Sequence, residues 1–199
     1  LRLICSRGRE GGSEPTAFAM VGAVAGRVAA ALTDGVSVVT LQRCLPAEGA
    51  ADMPWLLAGA KTLSDAVDMA ARRYAQRQGA GDVIFISSEG HVLEGPRSTV
   101  VIATDGDAGT PCLLTPPPWY PILKGTTQQA LFEVARNKGY DCDYRVLRPA
   151  DLFAAQGVWL VSSITLAARV HTLDGKPLPP SPIAAELSEL VDAAIVSDR

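Results

Sequence analysis

Residues 83–94, VIFISSEGHVLE, decide the fold class of this 199-residue chain. The β-branched and aromatic run at 83–86 is typical of a strand, and Glu89-Gly90 is typical of a turn. Residues 92–94 are then predicted to return as a second, antiparallel strand. Such a hairpin begins a β-meander, in which strands that follow each other in sequence are neighbours in the sheet.

The meander is predicted to continue on the carboxyl-terminal side. Residues 99–104 and 112–115 are two more apolar runs, separated by a turn signal at Asp105-Gly106. The three prolines at 116–118 end the pattern, because proline cannot donate a hydrogen bond to a strand ladder.

Helices and further strands surround the meander. The strands are predicted at 1–5, 17–24, 36–41, 143–147 and 158–161, and the helices at 26–33, 62–78, 125–138, 149–155 and 182–196. Strands grouped in meanders, with helices between the groups, indicate an α+β or mixed α/β fold and not a doubly wound parallel sheet.

The composition excludes several classes of protein. With 48% hydrophobic and 20% charged residues, the chain is expected to fold around a sizeable core. A formal net charge of −3 argues against a surface for nucleic acid or for an anionic membrane. No apolar run approaches the roughly 20 residues of a membrane span. The four cysteines form no CxxC pair, so we predict no metal site and a reducing, cytoplasmic location.

Lys61 is the first candidate catalytic residue. It follows the apolar run WLLAGA at 55–60 and precedes the helix predicted to begin at residue 62. A cation at a helix N-terminus costs up to ~1 kcal/mol against the macrodipole, and burial would add a desolvation cost. Both effects favour an uncharged amine, which can form a Schiff base with a carbonyl group. The alternative is an ordinary surface lysine after an apolar loop.

Glu94 is the second candidate, because it ends a predicted strand among apolar neighbours. A partly buried carboxylate could keep a heterocyclic nitrogen protonated, as the pyridine ring of pyridoxal phosphate requires. Alternation along the strand leaves a simpler interpretation open, in which Glu94 points to solvent opposite Leu93.

Two hydroxyl clusters could bind an anion. Thr126 and Thr127 follow Gly125 at a predicted helix start, where free N–H groups and the positive dipole end attract phosphate. Ser162 and Ser163 follow the apolar strand at 158–161. The simpler interpretations are helix capping by a threonine and an ordinary strand end.

Taken together, these residues resemble the fold type IV pyridoxal-phosphate enzymes. That family includes branched-chain aminotransferases, D-amino-acid aminotransferases and 4-amino-4-deoxychorismate lyases. The motifs that carry the resemblance, in order, are Lys61, 88–95, 123–127, 161–163 and 173–175. The segment CSRG at 5–8 is most similar to the lyases.

The resemblance implies a role for each residue. Lys61 would form the Schiff base with pyridoxal 5'-phosphate and shuttle the substrate proton. Glu94 would pair with the pyridine nitrogen, and Thr126, Thr127 and Ser163 would hold the phosphate. Arg7 would meet a substrate carboxylate.

The resemblance also implies a domain organisation. Residues 34–199 would form the large cofactor-binding domain, with a barrel-like sheet and flanking helices. Residues 1–33 would be the end of a smaller N-terminal α/β domain, the rest of which we expect to precede Leu1. Some aminotransferases of the family have an aromatic hydroxyl shortly after the lysine, where this chain has Asp65-Ala66.

The implied function is a lyase that converts 4-amino-4-deoxychorismate into 4-aminobenzoate and pyruvate in folate biosynthesis. An aminotransferase for branched-chain or D-amino acids is the alternative, because Lys61 and Glu94 serve both reactions. A truncated, inactive domain is a third interpretation. The expected partners are a small amino-acid-like substrate and a second copy of the chain, without nucleic acid or membrane.

Overall fold

A computed structural model describes residues 1–24, 26–49, 52–106 and 109–196 of the chain. These residues form a two-stranded hairpin, an eight-stranded sheet and five α-helices. The strands are β1 (Arg2–Ser6), β2 (Thr16–Met20), β3 (Val36–Gln42), β4 (Asp82–Ile86), β5 (Thr99–Asp105), β6 (Pro111–Thr115), β7 (Asp141–Tyr144), β8 (Gly157–Ser162), β9 (Leu166–Leu173) and β10 (Lys176–Pro177). The helices are α1 (Gly26–Thr33), α2 (Ala66–Arg77), α3 (Thr126–Asn137), α4 (Pro149–Ala154) and α5 (Ala184–Val196).

The large sheet is mixed and curled, with the strand order β4-β3-β9-β8-β5-β6-β7 and β10 attached to β9. Strand β3 runs parallel to both β4 and β9, and β6 runs parallel to β7. The central pairs β9-β8, β8-β5 and β5-β6 are antiparallel. The predicted mixed α/β class is therefore confirmed. The predicted meander is correct for β5 and β6 but wrong for β4, which pairs with β3 and is not a neighbour of β5.

Both faces of the sheet are buried. Along β5, Val100 and Ile102 pack in a cluster with α4, while Val101 and Ala103 pack in a second cluster with α3 and α5. This division follows from the alternation of side chains along a strand. Each fully buried valine or isoleucine side chain contributes roughly 1.5–3 kcal/mol relative to an exposed one.

A third apolar cluster supports the region that carries the candidate residues. It joins Ala75 of α2, Phe85 of β4, Leu93 and Ile122. The cluster therefore holds α2 and β4 against the segment that contains Ile122, which is far from them in sequence.

The hairpin of β1 and β2 forms a sheet of its own, in which Leu3 faces Ala19. The large sheet begins after it, at Val36. A domain boundary near residue 33 stays a prediction. In the described part of the chain, none of the helices has the length and apolar character needed to cross a bilayer.

Several predicted boundaries were wrong. The helix predicted at 62–78 begins only at Ala66, because the first helical hydrogen bond runs from the Met69 N–H to the Asp65 carbonyl. The strand predicted at 17–24 ends at Met20, and the strand predicted at 143–147 lies at Asp141–Tyr144.

The returning strand predicted at 92–94 is not a regular strand. It has a single bridge, between Ile86 and Val92. The Val92 N–H donates to the Leu147 carbonyl, whereas the Leu93 N–H donates to the Phe85 carbonyl. The segment therefore divides its hydrogen bonds between two neighbours and forms no continuous ladder.

Sequence reasoning missed β9, an interior strand of the sheet. It pairs with β8 on one side and with β3 on the other. In the sequence, apolar Ala168 and Val170 alternate with polar Arg169 and His171, which is a usable signal for a strand.

Candidate active site

The candidate site is a cavity of about 520 Å³. It lies beside the carboxyl end of β8 and the amino ends of β5 and α3. Its wall is formed by parts of segments 43–45, 56–68, 94–99, 121–127 and 161–163. Five residues predicted from the sequence line this one cavity: Lys61, Glu94, Thr126, Thr127 and Ser163. Arg7 lies in the exposed loop after β1 and is not part of the wall.

Lys61 lies on the cavity wall, but not for the reason that the sequence suggested. The helix begins five residues later, at Ala66, and Lys61 is exposed. The argument from a helix dipole and from burial was therefore wrong for this residue. Its position instead depends on the tight loop before it, in which Leu57 and Gly59 have φ values of 51° and 75°.

Gly59 holds this loop close to the neighbouring segment. A Cβ at this position would lie 2.7 Å from the carbonyl oxygen of Ile122. A side chain there would therefore force the loop away from Ile122 and move Lys61 with it. The positive φ adds a second requirement for glycine.

Glu94 is largely buried, with 14% of its side chain exposed. The Leu123 N–H donates to its Oε2 at 3.0 Å, and Arg43 Nη1 donates to its Oε1 at 3.3 Å. Burial raises the pKa of Glu94 to about 7, although the Leu123 N–H and Arg43 lower it. The interpretation that Glu94 points to solvent was wrong, because its side chain is largely buried and hydrogen-bonded to Arg43 and to the Leu123 N–H.

Sequence reasoning missed Arg43 and Asp68, which complete this side of the site. Arg43 follows β3, and its guanidinium carbon lies 4.7 Å from the centroid of the Phe85 ring. Its Nη2 lies 3.7 Å from Oδ1 of Asp68, in the first turn of α2. An arginine directly after an apolar strand was the available signal for Arg43. Nothing in the sequence distinguished Asp68 from a solvated helix residue.

The N-terminus of α3 forms another part of the wall. Its N-cap is Gly125, with no side-chain cap, so the interpretation that a threonine caps the helix was wrong. The first backbone bond is donated by the Gln129 N–H to the Gly125 carbonyl. The N–H groups of Thr126 and Thr127 therefore have no acceptor within the helix, which is the arrangement that binds an anion.

Gly125 is required by its surroundings. A Cβ on Gly125 would collide with the hydroxyl oxygen of Thr99, at the start of β5. Because Gly125 has no side chain, the N-terminus of α3 can lie against Thr99 of β5, at the wall of the cavity.

The two serines have different positions. Ser162 Oγ accepts hydrogen bonds from the N–H groups of Ile164 and Thr165, so it stabilises the turn after β8. Ser163 is exposed and faces the cavity as part of its wall. Its hydroxyl makes no hydrogen bond to any residue that the structure describes, so it can bind a ligand. The cavity thus combines an accessible amine, a buried carboxylate and a helix N-terminus that suits an anion. Within the described ranges, no group of three or more potential ligand side chains is arranged for a metal ion.

The family model described as amino-transferase class IV matches residues 1–173. A protein of Mycobacterium tuberculosis named bifunctional aminodeoxychorismate lyase / D-amino acid transaminase is 74% identical, over 100% of this chain and 70% of its own length.

Two solved structures of a hypothetical aminotransferase from Mycobacterium tuberculosis are similar throughout. The PLP-bound form is 73% identical, with a TM-score of 0.94, over 99% of this chain and 68% of the other. The form with alpha-ketoglutarate and PMP is 72% identical, with the same TM-score and coverage. The chain therefore belongs to the class IV aminotransferase family, with the mixed α/β fold that the resemblance implied.

Proposed function

We propose that this protein binds pyridoxal 5'-phosphate and cleaves 4-amino-4-deoxychorismate to 4-aminobenzoate and pyruvate. The observation that carries the proposal is the convergence of Lys61, Glu94 and the α3 N-terminus on one cavity. We propose transamination of D-amino acids as a second activity of the same site. This is favoured by the name of the 74% identical relative and by the keto acid bound to a similar structure.

The residues of the cavity fit the cofactor. A phosphate dianion suits the N-terminus of α3, where the backbone N–H groups of Thr126 and Thr127 lack acceptors within the helix. The hydroxyls of these threonines and of Ser163 line the same cavity and would add donors. When bound, pyridoxal phosphate supplies an aldehyde that reacts with amines and a ring that takes up the charge of a carbanion.

Lys61 is proposed to hold the cofactor covalently and to move a proton. Its exposure on the cavity wall makes the amine accessible to a ligand. Once a substrate amine has replaced it, the Lys61 amine is free to accept the proton from the substrate carbon as a general base. Both proposed reactions need this transfer.

Glu94 is proposed to bind the ring nitrogen. The hydrogen bonds from Leu123 and Arg43 orient its carboxyl group from within the fold. In the protein without ligand, burial raises the pKa of Glu94 to about 7. A cationic nitrogen beside it would favour the carboxylate form, because an opposite charge stabilises an ionised group.

Reduction with borohydride tests the proposed cofactor site. Purified protein loaded with pyridoxal phosphate is reduced, digested and mapped by mass spectrometry. We expect the label on Lys61. Lys124 is the matched control. It is a lysine next to Leu123 of the candidate site, but it lines a different cavity, of about 230 Å³. A label on Lys124, or no label on a fully loaded sample, would contradict the proposal. The second result would favour the inactive-domain interpretation.

Dependence on an added keto acid separates the two reactions. A lyase releases 4-aminobenzoate and pyruvate without any acceptor. A transaminase stops after one half-reaction unless a keto acid such as 2-oxoglutarate is supplied. Turnover of 4-amino-4-deoxychorismate only when 2-oxoglutarate is present would contradict lyase activity.

We further propose that the protein acts as a cytoplasmic homodimer. Large apolar side chains are exposed beside the cavity, among them Trp55, Leu57 and Leu63. Apolar groups of this size are enriched in protein interfaces. Light scattering at several protein concentrations tests this, and a monomer at all of them would contradict it.

A further inference from the structure

Asp68 lies close to the proposed ring-binding carboxylate but does not contact it. It belongs to the first turn of α2, and 17% of its side chain is exposed. Its Oδ1 lies 3.7 Å from Arg43 Nη2, too far for a hydrogen bond, and has no hydrogen-bond partner among the described residues. The other terminal nitrogen of Arg43 donates to Glu94. One guanidinium thus lies between two largely buried carboxylates.

The charges of these three groups do not cancel. With both acids ionised, two carboxylates and one guanidinium leave one net negative charge beside the cavity. Without the charge of Asp68, Arg43 and Glu94 would form a neutral pair. Beside such a neutral pair, the repulsion between Arg43 and a cationic ring nitrogen would oppose the attraction by Glu94. This would disfavour protonation of the ring nitrogen.

This inference rests on the proposed function, in which Glu94 faces the ring nitrogen. We propose that Asp68 is a positioning residue that offsets the charge of Arg43, so that Glu94 presents an uncompensated negative charge to the ring nitrogen.

The surroundings support a role in charge balance. The face of Phe85 packs against Arg43 in a cation–π contact, with the guanidinium carbon 4.7 Å from the ring centroid. Arg43 is thus held beside Glu94 by a contact that does not involve Asp68. The other groups that act on Glu94 are the Leu123 N–H and Lys61. Asp65, Lys61 and Arg97 also act on Asp68.

Asp65 provides a matched control on the same wall. Its Oδ2 accepts a hydrogen bond from Arg97 Nη2 at 2.9 Å, so its charge is already paired. It precedes α2 by one residue and makes no ion pair with Arg43 within the described chain. Asp65→Asn removes the same charge as Asp68→Asn from a neighbouring position.

The first measurement uses the full chain without cofactor. Glutamate side-chain carboxyl carbons are followed by NMR as the pH changes, and Glu94→Gln assigns the relevant signal. We expect Asp68→Asn to lower the pKa of Glu94 below its value of about 7, because Asp68 raises that pKa. Arg43→Gln should raise it. Asp65→Asn should change it less than Asp68→Asn does, because Asp65 raises the pKa of Asp68 but is not among the groups that act on Glu94.

The second measurement uses the protein loaded with pyridoxal phosphate labelled with ¹⁵N in the ring. The nitrogen chemical shift reports whether the ring carries its proton. We expect Asp68→Asn to lose this proton at a lower pH than the wild type, with a larger shift than in Asp65→Asn. A purely structural role for Asp68 would not produce this difference.

The outcomes separate this inference from the proposed function. If the loaded protein carries its cofactor on Lys61 but the ring titrates identically in wild type and Asp68→Asn, the inference alone is overturned. An unchanged Glu94 titration in Asp68→Asn also overturns it. A chain that binds no pyridoxal phosphate overturns both.

Discussion

The wall around Glu94 and the loop that carries Lys61 border the same cavity but are built differently. Glu94 receives hydrogen bonds from two directions and lies against the buried cluster that contains Leu93 and Ile122. Lys61 follows an exposed loop whose path depends on glycine and on left-handed backbone conformations. The carboxylate is therefore held and tuned by the folded core. The position of the Lys61 amine depends mainly on the backbone conformation of its loop, and the amine stays accessible.

Replacing the amine is expected to have the largest effect. Lys61→Ala should lower lyase and transaminase activity on the order of 10³-fold or more, because proton transfer and covalent binding are lost together. Stability should change little, since Lys61 is exposed. Steady-state kinetics and chemical denaturation measure the two properties. Equal activity losses in Lys61→Ala and the control Lys124→Ala would contradict the assignment.

Replacing the carboxylate tests the buried side of the comparison. Glu94→Gln keeps the shape but cannot offer a negative charge to a ring nitrogen. We expect a fall in kcat of roughly 10²-fold, comparable to the removal of one preorganised electrostatic contact. The spectrum of bound cofactor should change as well. A Glu94→Gln variant with wild-type kcat and wild-type spectrum would show that Glu94 does not act on the ring.

The raised pKa of Glu94 predicts a pH-dependent cost to stability in the ligand-free protein. Its folded-state pKa of about 7 exceeds the ordinary 4.5, so the folded state binds the proton more tightly. The contribution of Glu94 to the free energy of unfolding is therefore most favourable below about pH 4.5, and it is lost as the pH rises to about 7. The loss is at most about 3 kcal/mol.

Denaturation of wild type and Glu94→Gln across pH 4.5 to 7 isolates this contribution. Other carboxyl groups titrate in both proteins and cancel in the difference between their unfolding free energies. We expect wild type to lose stability relative to Glu94→Gln as the pH rises. A constant difference would show that burial does not perturb this carboxyl group.

The open end of α3 depends on the close approach at Gly125. Gly125→Ala should destabilise the fold by about 1–3 kcal/mol, the usual range for overpacking, and should weaken phosphate binding. Thr99→Ala in the same chain removes the hydroxyl with which the new Cβ collides. The double variant should recover part of the stability. If the stability losses of the two single variants simply add up in the double variant, a collision between Thr99 and the new Cβ does not explain the loss in Gly125→Ala.

The smallest effect is expected in the exposed region beside Lys61. Leu63 is 58% exposed, so Leu63→Ala should change the free energy of unfolding of the monomer by less than ~0.5 kcal/mol. Leu93 is fully buried, and Leu93→Ala should cost roughly 2–5 kcal/mol. Thermal unfolding of both variants measures the contrast. Equal losses would show that the Lys61 loop is as strongly supported as the Glu94 wall.

Sequence reasoning identified the residues of the cavity better than their surroundings. Glu94, Thr126 and Ser163 could be predicted because small motifs carry them, next to strands or at a helix start. Asp68 could not, because nothing along the chain distinguishes it from a solvated helix residue. Arg43 had a local signal, its position directly after an apolar strand, but its contacts with Asp68 and Glu94 join segments that are far apart in sequence.

The sequence by itself determined the mixed α/β class, most helices and strands, and the family resemblance. These depend on local periodicity, turn residues and motif order, all of which are readable along the chain. Only the tertiary structure decided that β9 lies between β3 and β8 in the sheet and that Lys61 is exposed before its helix. It also decided that Glu94 shares Arg43 with Asp68. Burial and charge depend on which distant segments pack together, and this is a property of the folded chain.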